Sequence, residues 1–350
     1  MNQFLTSNGA LLSMTANSVI MRFFQNDDVM TKILKAPEDI NKVVELISNE
    51  EIVALPTETV YGLAGLASSE AAVKKIYEIK NRPAINPLIS HYASIEEIKK
   101  DVELTELAEK LLKKFSPGPL TLVLKRKKDS RISELACAGL ETAAVRIPNH
   151  KVCLEILEKL ACPVVAPSAN PSGRLSPISA ANVEKMFGSK LEYVFDGGLC
   201  EVGLESTVVE ILNEEVKILR YGAITIEDLL TVVKEVKVPE RDEIIRSPGS
   251  LLKHYSPTCS IRIGIEDAKE GEALLAFGPV PQHSFQLVKN LSERANLEEA
   301  AANLFKMIHE LEEMNVTGIA VMPIPCEAVG RAINDRLTRA VIARKDSPDA

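Results

Sequence analysis

The stretch from Ile52 to His91 constrains the fold of this chain more than any other part of the sequence. It opens with the apolar run Ile52–Leu55, which predicts a short buried strand. Pro56 ends that strand, because proline has no N–H to give to a sheet ladder. Three polar residues, Thr57-Glu58-Thr59, come next. Since α/β proteins tend to bind ligands where strands end, the sequence predicts a ligand site at this point.

A helix is predicted after this loop. Ser68 or Ser69 can cap its start, and apolar residues recur at helical spacing at Ala72, Val73, Ile76, Tyr77 and Ile79. Lys80 and Arg82 lie in its last turn, and Pro83 prevents its continuation. Two cations on a proline-stiffened turn suit a polyanion such as a triphosphate. The alternative is that they only offset the negative end of the helix dipole.

Two further strands carry single basic residues. The segment Asn86–His91 predicts a strand that begins with a polar residue and ends with a lone histidine. The segment Thr142–Pro148 predicts another, with Arg146 between two apolar neighbours. Because a charge is costly to bury unpaired, Arg146 needs an anionic partner. That partner is either an internal carboxylate in a salt bridge or a bound substrate.

A loop bounded by prolines follows the apolar run at residues 163–166 and displays Ser168 and Asn170. Ser-x-Asn by itself is a common turn and carries little information. Neither of the two common glycine-rich phosphate loops, G-x-x-x-x-G-K-[ST] and G-x-G-x-x-G, occurs in the chain. Side chains would therefore have to hold any phosphate groups.

Taken together, PTETVYGL, K-x-R-P-x-x-N-P-L-I-x-H and the later Ser-x-Asn resemble the Sua5/YrdC family, the threonylcarbamoyl-AMP synthases of tRNA modification. The resemblance runs from about Leu34 to Ala343. It includes GLESTVV at 203–209, SPG-x-x-x-x-HY-x-P at 247–257 and AINDRLTRAVIA at 332–343. It implies an α/β fold: a YrdC-like twisted mixed sheet with flanking helices, plus a smaller parallel, Rossmann-like C-terminal Sua5 domain.

The resemblance also implies a reaction. L-threonine, bicarbonate and ATP with Mg²⁺ would give threonylcarbamoyl-AMP and pyrophosphate, the first step of t6A37 formation in tRNAs that read ANN codons. By resemblance, threonine is bound by Thr59, His91, Arg146 and Ser206. ATP is bound by Lys80, Arg82, Asn86, Thr142, Ser168, Asn170, Ser176, Arg220 and Tyr255. No catalytic nucleophile and no dedicated metal ligands are expected, because positioning and charge stabilisation suffice for this chemistry.

The length of 350 residues suggests about two domains. We expect an extension at 1–29, a catalytic domain at 30–237 and a linker that also acts as a lid at 238–257. His254 and Tyr255 lie in this linker, and the C-terminal domain spans 258–350. Strands that alternate with helices after residue 258 predict a parallel sheet there. A helix over Ile226–Val236 is expected to close the catalytic domain.

Composition limits the partners. A formal net charge of −8 and an aromatic content of 4% without tryptophan disfavour tight, sequence-independent RNA binding. Loose contact with tRNA remains open, and the product would pass to a tRNA threonylcarbamoyl transferase complex. Scattered cysteines without a C-x-x-C pair fit a reducing cytoplasm, and no apolar run is long enough for a membrane span.

Two alternative functions remain. One is a binding module for tRNA or double-stranded RNA, which predicts a basic face. The other is a carbamoyl-transfer maturation factor of the hydrogenase type, which would bring zinc-finger cysteine pairs and an acylphosphatase domain.

Overall fold

The structure, a computed structural model, describes residues 30–212, 214–238, 255–265, 269–280 and 287–345. Within these ranges the strands form two sheets, one of 11 strands and one of 4. The predicted extension at 1–29, most of the predicted lid and His254 lie outside the described residues.

The larger sheet is mixed and is built from the first part of the chain. Its order is β1-β8-β2-β3-β7-β4-β6-β5-β9-β10-β11. Its strands are β1 (Lys32–Lys35), β2 (Val53–Leu55), β3 (Gly62–Leu66), β4 (Ile89–His91), β5 (Leu120–Lys125), β6 (Thr142–Arg146), β7 (Val164–Val165), β8 (Tyr193–Asp196), β9 (Thr207–Leu212), β10 (Glu215–Arg220) and β11 (Val236–Lys237).

Helices cover both faces of this sheet. They are α1 (Ile40–Ser48), α2 (Glu70–Lys80), α3 (Ile95–Asp101), α4 (Glu106–Phe115), α5 (Lys151–Leu160), α6 (Ala180–Phe187) and α7 (Ile226–Leu229). Along β2, Val53 and Leu55 pack in one apolar cluster with α1 and α5, whereas Ala54 packs in another with α2, α4 and α6. Successive side chains of a strand point to opposite faces, so the two clusters lie on opposite sides of the sheet.

The helix predicted after the polar loop is α2, and Ser69 caps it by accepting a hydrogen bond from the Ala72 N–H. The strand β3 just before it was not predicted, because its sequence GLAGL has two glycines and little strand propensity. Close packing explains both glycines. A Cβ on Gly62 would lie 3.0 Å from the Ala166 Cβ, and one on Gly65 would lie 2.9 Å from the Ile52 Cδ1.

The predicted closing helix is wrong in extent. A capping box between Thr225 and Asp228 starts α7, but the helix ends at Leu229. The following Thr231-Val232-Val233 is β-branched, which lowers helix propensity. Val236 and Lys237 pair instead with β10 in parallel as the strand β11.

The smaller sheet has the order β12-β15-β13-β14, and all of its strand pairs are parallel, as predicted. Its strands are β12 (Ser260–Ile263), β13 (Glu272–Ala276), β14 (Val288–Asn290) and β15 (Gly318–Val321), with helices α8 (Leu297–Glu313) and α9 (Gly330–Lys345). The two sheets with their helices agree with the predicted fold class.

Candidate active site

The ends of two parallel strands place the first pair of predicted site residues together. β4 and β6 are neighbours in the sheet, and their register sets His91 directly beside Arg146. Both residues therefore face the same edge of the sheet. They line a cleft with other predicted residues: Thr59, Arg82, Ser168, Ser206 and Arg220.

Arg146 has an anionic partner inside the protein. Its Nη2 lies 2.7 Å from Oε2 of Glu58, and both side chains are about 95% buried. Its Nε donates a hydrogen bond to the Gly118 carbonyl at 3.3 Å. The salt bridge considered for Arg146 thus exists, and Arg146 still lines the cleft. Its predicted contact with a substrate carboxylate stays a prediction.

His91 is a neutral group in this site. Burial, and then the positive charge of Arg146, lower the pKa of its imidazole to about 3. Its Nδ1 lies 3.3 Å from the Ile89 carbonyl oxygen. A neutral imidazole at the end of β4 suits hydrogen bonding to a polar ligand group better than charge pairing.

Lys80 and Arg82 are buried cations rather than surface partners of the helix dipole. The Lys80 Nζ donates to the carbonyls of Ser168 and Asn170, each at 2.5 Å, and so ties the end of α2 to the Ser-x-Asn loop. Arg82 donates to the carbonyls of Asn86 and Pro87 at 3.1 and 2.8 Å. Among the described residues neither cation pairs with a carboxylate.

Burial opposes the charge on both groups. It lowers the pKa of Lys80 well below its ordinary value, with a further contribution from the charge of Arg82. It lowers the pKa of Arg82 to about 10. Buried cations gain from a bound anion, so the part of the cleft that Arg82 lines suits a phosphate-bearing ligand.

Ser206 and Arg220 form another part of the cleft wall. The Ser206 hydroxyl lies 2.7 Å from that of Thr121. Arg220 donates to the Ser206 carbonyl at 3.0 and 2.9 Å and to its hydroxyl at 3.1 Å. Burial lowers the pKa of Arg220 as well. The wall therefore adds a third buried guanidinium to the cleft.

Most of the remaining predicted residues do not line the cleft but contact the residues that form it. Asn86 is buried beside Arg82, and within the described part of the chain its side-chain amide has no hydrogen-bond partner. The Asn170 amide donates to the Pro171 and Arg174 carbonyls at 2.9 Å. The Ser176 hydroxyl donates to Glu205, which lines the cleft.

Tyr255 and Thr142 are the outlying members. The Tyr255 ring is buried against Phe305 of α8. Thr142 begins β6 whereas Arg146 ends it, so the two lie about 13 Å apart at about 3.3 Å per strand residue. Thr142 is not among the residues that line the cleft. A ligand that contacts both must be long.

The sequence assigned no specific role to three residues in or behind the cleft: Glu58, which was named only as one of three polar residues after β2, Glu205 and Arg336. Glu58 stands within the PTET motif, and its burial requires a cation, which was the available signal. Glu205 and Arg336 form a buried ion pair at 2.9 Å across the two parts of the chain. No local pattern in the sequence indicates that pairing.

The comparisons with known proteins bear on both parts of the chain. The family model Sua5_yciO_yrdC, described as telomere recombination, matches residues 45–222. The model for the threonylcarbamoyl-AMP synthase C-terminal domain matches residues 224–341. A threonylcarbamoyl-AMP synthase of Pyrococcus abyssi is 35% identical over 334 residues, which is 89% of this chain and 98% of that protein.

The chain belongs to the threonylcarbamoyl-AMP synthase family. A member from Bacillus subtilis is also 35% identical, over 91% of this chain and 97% of its own length. The crystal structure of P. abyssi Sua5 complexed with L-threonine superposes with a TM-score of 0.82 at 33% identity, covering 90% of this chain and 98% of that one. Escherichia coli YciO shares the fold of the first part, with a TM-score of 0.50 at 19% identity over 55% of this chain.

Membership of the threonylcarbamoyl-AMP synthase family confirms the resemblance carried by the sequence motifs, and with it the predicted fold class. The described residues contain no group of three or more His, Cys, Asp or Glu side chains that could hold a metal ion. None of the described helices is long and apolar enough to cross a membrane.

Proposed function

We propose that this chain makes threonylcarbamoyl-AMP and pyrophosphate from L-threonine, bicarbonate and ATP. The observation that carries the proposal is the charge arrangement of the cleft. Lys80 and Arg82 are buried and donate to main-chain carbonyls, and Arg82 lines the same cleft as the neighbouring residues His91 and Arg146. A polyphosphate and an amino acid carboxylate need two such neighbouring cationic subsites.

The threonine half of the proposed site consists of Thr59, His91, Arg146 and Ser206. Arg146 offers its guanidinium to the carboxylate of the substrate, and the hydroxyls of Thr59 and Ser206 with the neutral His91 offer hydrogen bonds to its polar groups. The chemistry needs two bonds. The threonine nitrogen bonds to the carbon of bicarbonate with loss of water. An oxygen of the resulting carbamate then bonds to the α-phosphorus, and the bond to pyrophosphate breaks.

The nucleotide half of the proposed site consists of Lys80, Arg82, Asn86, Thr142, Ser168, Asn170, Ser176, Arg220 and Tyr255. Its cations would stabilise the negative charge that develops around the α-phosphate and on the leaving pyrophosphate. Because they are fixed by hydrogen bonds before the ligand arrives, little reorganisation accompanies the reaction.

We propose that Mg²⁺ enters the site bound to ATP. The two carboxylates of the site, Glu58 and Glu205, are engaged by Arg146 and Arg336. The residues present therefore do not fit a protein-ligated metal centre. A magnesium ion that enters with ATP can be held by phosphates and water.

We further propose that the product serves t6A37 formation in tRNAs that read ANN codons. A tRNA threonylcarbamoyl transferase complex would receive it, and contact of this chain with tRNA would be loose at a net charge of −8.

The test is pyrophosphate release by the purified chain, with the adenylate product followed by mass spectrometry. Release is expected only when threonine, bicarbonate and ATP are all present. Release that is unchanged when threonine is omitted would overturn the proposal. An RNA-binding module would release no pyrophosphate in any mixture.

A further inference from the structure

One deeply buried cation outside the cleft comes from the C-terminal part of the chain. Arg336 lies on α9 and is 1% exposed. Its Nε donates to Oε2 of Glu205 at 2.9 Å, and its Nη2 donates to the Tyr221 carbonyl at 2.8 Å. Its Nη1 donates to Asp335 at 2.7 Å. One side chain of α9 thus makes two fixed contacts with the segments that precede β9 and follow β10.

Glu205 connects Arg336 to the cleft, because Glu205 itself lines the cleft. Its Oε2 accepts from Arg336, while its Oε1 accepts from the hydroxyl of Ser176. The Ser176 carbonyl oxygen lies 3.0 Å from the Nε2 of His309 on α8. The Ser176 main chain is therefore contacted directly by α8, and its side chain is held by Glu205, which α9 contacts in turn.

Tyr255 is fixed by the same two helices. The guanidinium carbon of Arg336 lies 5.0 Å from the centre of the Tyr255 ring. On α8, the Phe305 ring stacks on Tyr255 with the ring centres 5.7 Å apart. Tyr255 also has a φ of 65°, a left-handed conformation that a bulky residue adopts only where its surroundings impose it.

We propose that Arg336 is a positioning residue for the nucleotide. Through Glu205 it orients the Ser176 hydroxyl, and directly it orients the Tyr255 ring, so that the nucleotide half of the site is complete only with α9 in place. The inference rests on the proposed function, in which Ser176 and Tyr255 bind ATP. It assigns the C-terminal part of the chain a role in the reaction.

An arginine is required for this arrangement because its planar fork has several donors in fixed directions. A lysine at position 336 can pair with Glu205 but cannot also reach the Tyr221 carbonyl and lie flat on the ring. Arg336 is not itself among the residues that line the cleft, so its effect on the ligand passes through Glu205 and Tyr255.

The test uses Arg336→Met and Arg336→Lys in the full chain, with Arg331→Met as the matched control. Arg331 lies on the same helix and also pairs across to the first part of the chain, with Glu227 at 2.8 Å, but far more exposed and away from the cleft. Binding of a non-hydrolysable ATP analogue and of L-threonine is measured separately by calorimetry. Thermal unfolding and the kcat and KM of the synthesis are measured alongside.

For Arg336→Met we expect the affinity for the ATP analogue to fall by about tenfold to a hundredfold, the scale of a lost positioning contact. The affinity for threonine should change less than about threefold, and Arg336→Lys should lie between Arg336→Met and the unmodified chain. Arg331→Met should bind both ligands as the unmodified chain does.

Unchanged affinity for the analogue in a folded Arg336→Met variant would overturn the inference, and so would equal losses for the analogue and threonine. If Arg336→Met does not fold, Arg336→Lys, which keeps a positive charge beside Glu205, carries the same expectation of a loss for the analogue without an equal loss for threonine. Failure of the proposed function would look different, because the unmodified chain would then bind the analogue or threonine without forming the adenylate.

Discussion

Glu58→Gln tests the link between the buried ion pair and threonine binding. Glu58 and Arg146 lie 2.7 Å apart and are both almost fully buried. The substitution keeps the size of the side chain but leaves the Arg146 charge uncompensated, which costs about 3–5 kcal/mol at a buried site. At roughly 2–4 °C per kcal/mol, the unfolding temperature should fall by about 6–20 °C.

Threonine should offset part of this loss. Arg146 lines the cleft whereas Glu58 lies behind it, so the carboxylate of the ligand can replace the missing carboxylate of the protein. We expect threonine to bind Glu58→Gln about tenfold more tightly than the unmodified chain, which is about 1.4 kcal/mol. At one threonine concentration the ligand should therefore raise the unfolding temperature of the variant more than that of the unmodified chain.

The matched control is Asp101→Asn. Asp101 is fully buried and pairs with Arg131 at 2.6 Å, outside the cleft. This variant should also lose stability, but threonine should give it no extra protection. Equal protection by threonine in Glu58→Gln and in the unmodified chain, measured by thermal unfolding and calorimetry, would refute the reasoning. So would a Glu58→Gln/Arg146→Met variant that still binds threonine normally.

Three further outcomes are expected. Lys80→Met should lower kcat/KM for ATP by about a hundredfold, because the Ser-x-Asn loop then loses its hydrogen bonds to the end of α2. Lys75→Met, on the exposed face of the same helix, should leave kcat/KM unchanged. Similar kcat/KM values for the two variants would contradict this expectation. The pKa of His91 is lowered from 6.5 to about 3, so its imidazole should stay neutral in ¹⁵N NMR from pH 8 to pH 5. Since the unfolded chain takes up this proton below pH 6.5 and the native chain does not, stability should fall as the pH drops from 6.5 towards 3, and His91→Asn should flatten that slope. Tyr255→Ala should raise KM for ATP about tenfold while Tyr255→Phe, which keeps the ring on Phe305, should not; equal KM values in the two variants would exclude a role for the ring.

Local patterns in the sequence were sufficient for much of the fold. Short-range rules account for the Ser69 cap, for the apolar residues at helical spacing along α2 and for the parallel C-terminal strands. The helix over Ile226–Val236 was wrong because pairing of Val236 with β10 outweighed a weak helical pattern. β3 was missed because its glycines reflect close packing by segments distant in sequence.

The ion-pair partners of the charged site residues could not be predicted from the sequence. Arg146 predicts that some anion is present, but its pairing with Glu58 depends on how β6 and the loop after β2 meet in the sheet. The pairing of Glu205 with Arg336 spans 131 residues. A pattern with helical or strand period carries no information at that separation.

The wide spacing of these partners has a consequence for biosynthesis. Domains generally fold from the N-terminal side as the chain leaves the ribosome, and the large sheet can form once β11 has emerged. Glu205 and Ser176 would then already be in place, but the guanidinium that neutralises Glu205 arrives only with α9. Until translation has passed residue 336, a nascent chain therefore lacks the guanidinium that contacts both Glu205 and the Tyr255 ring. Because we propose that these contacts position the nucleotide-binding residues, the growing chain is expected to acquire its affinity for the nucleotide late.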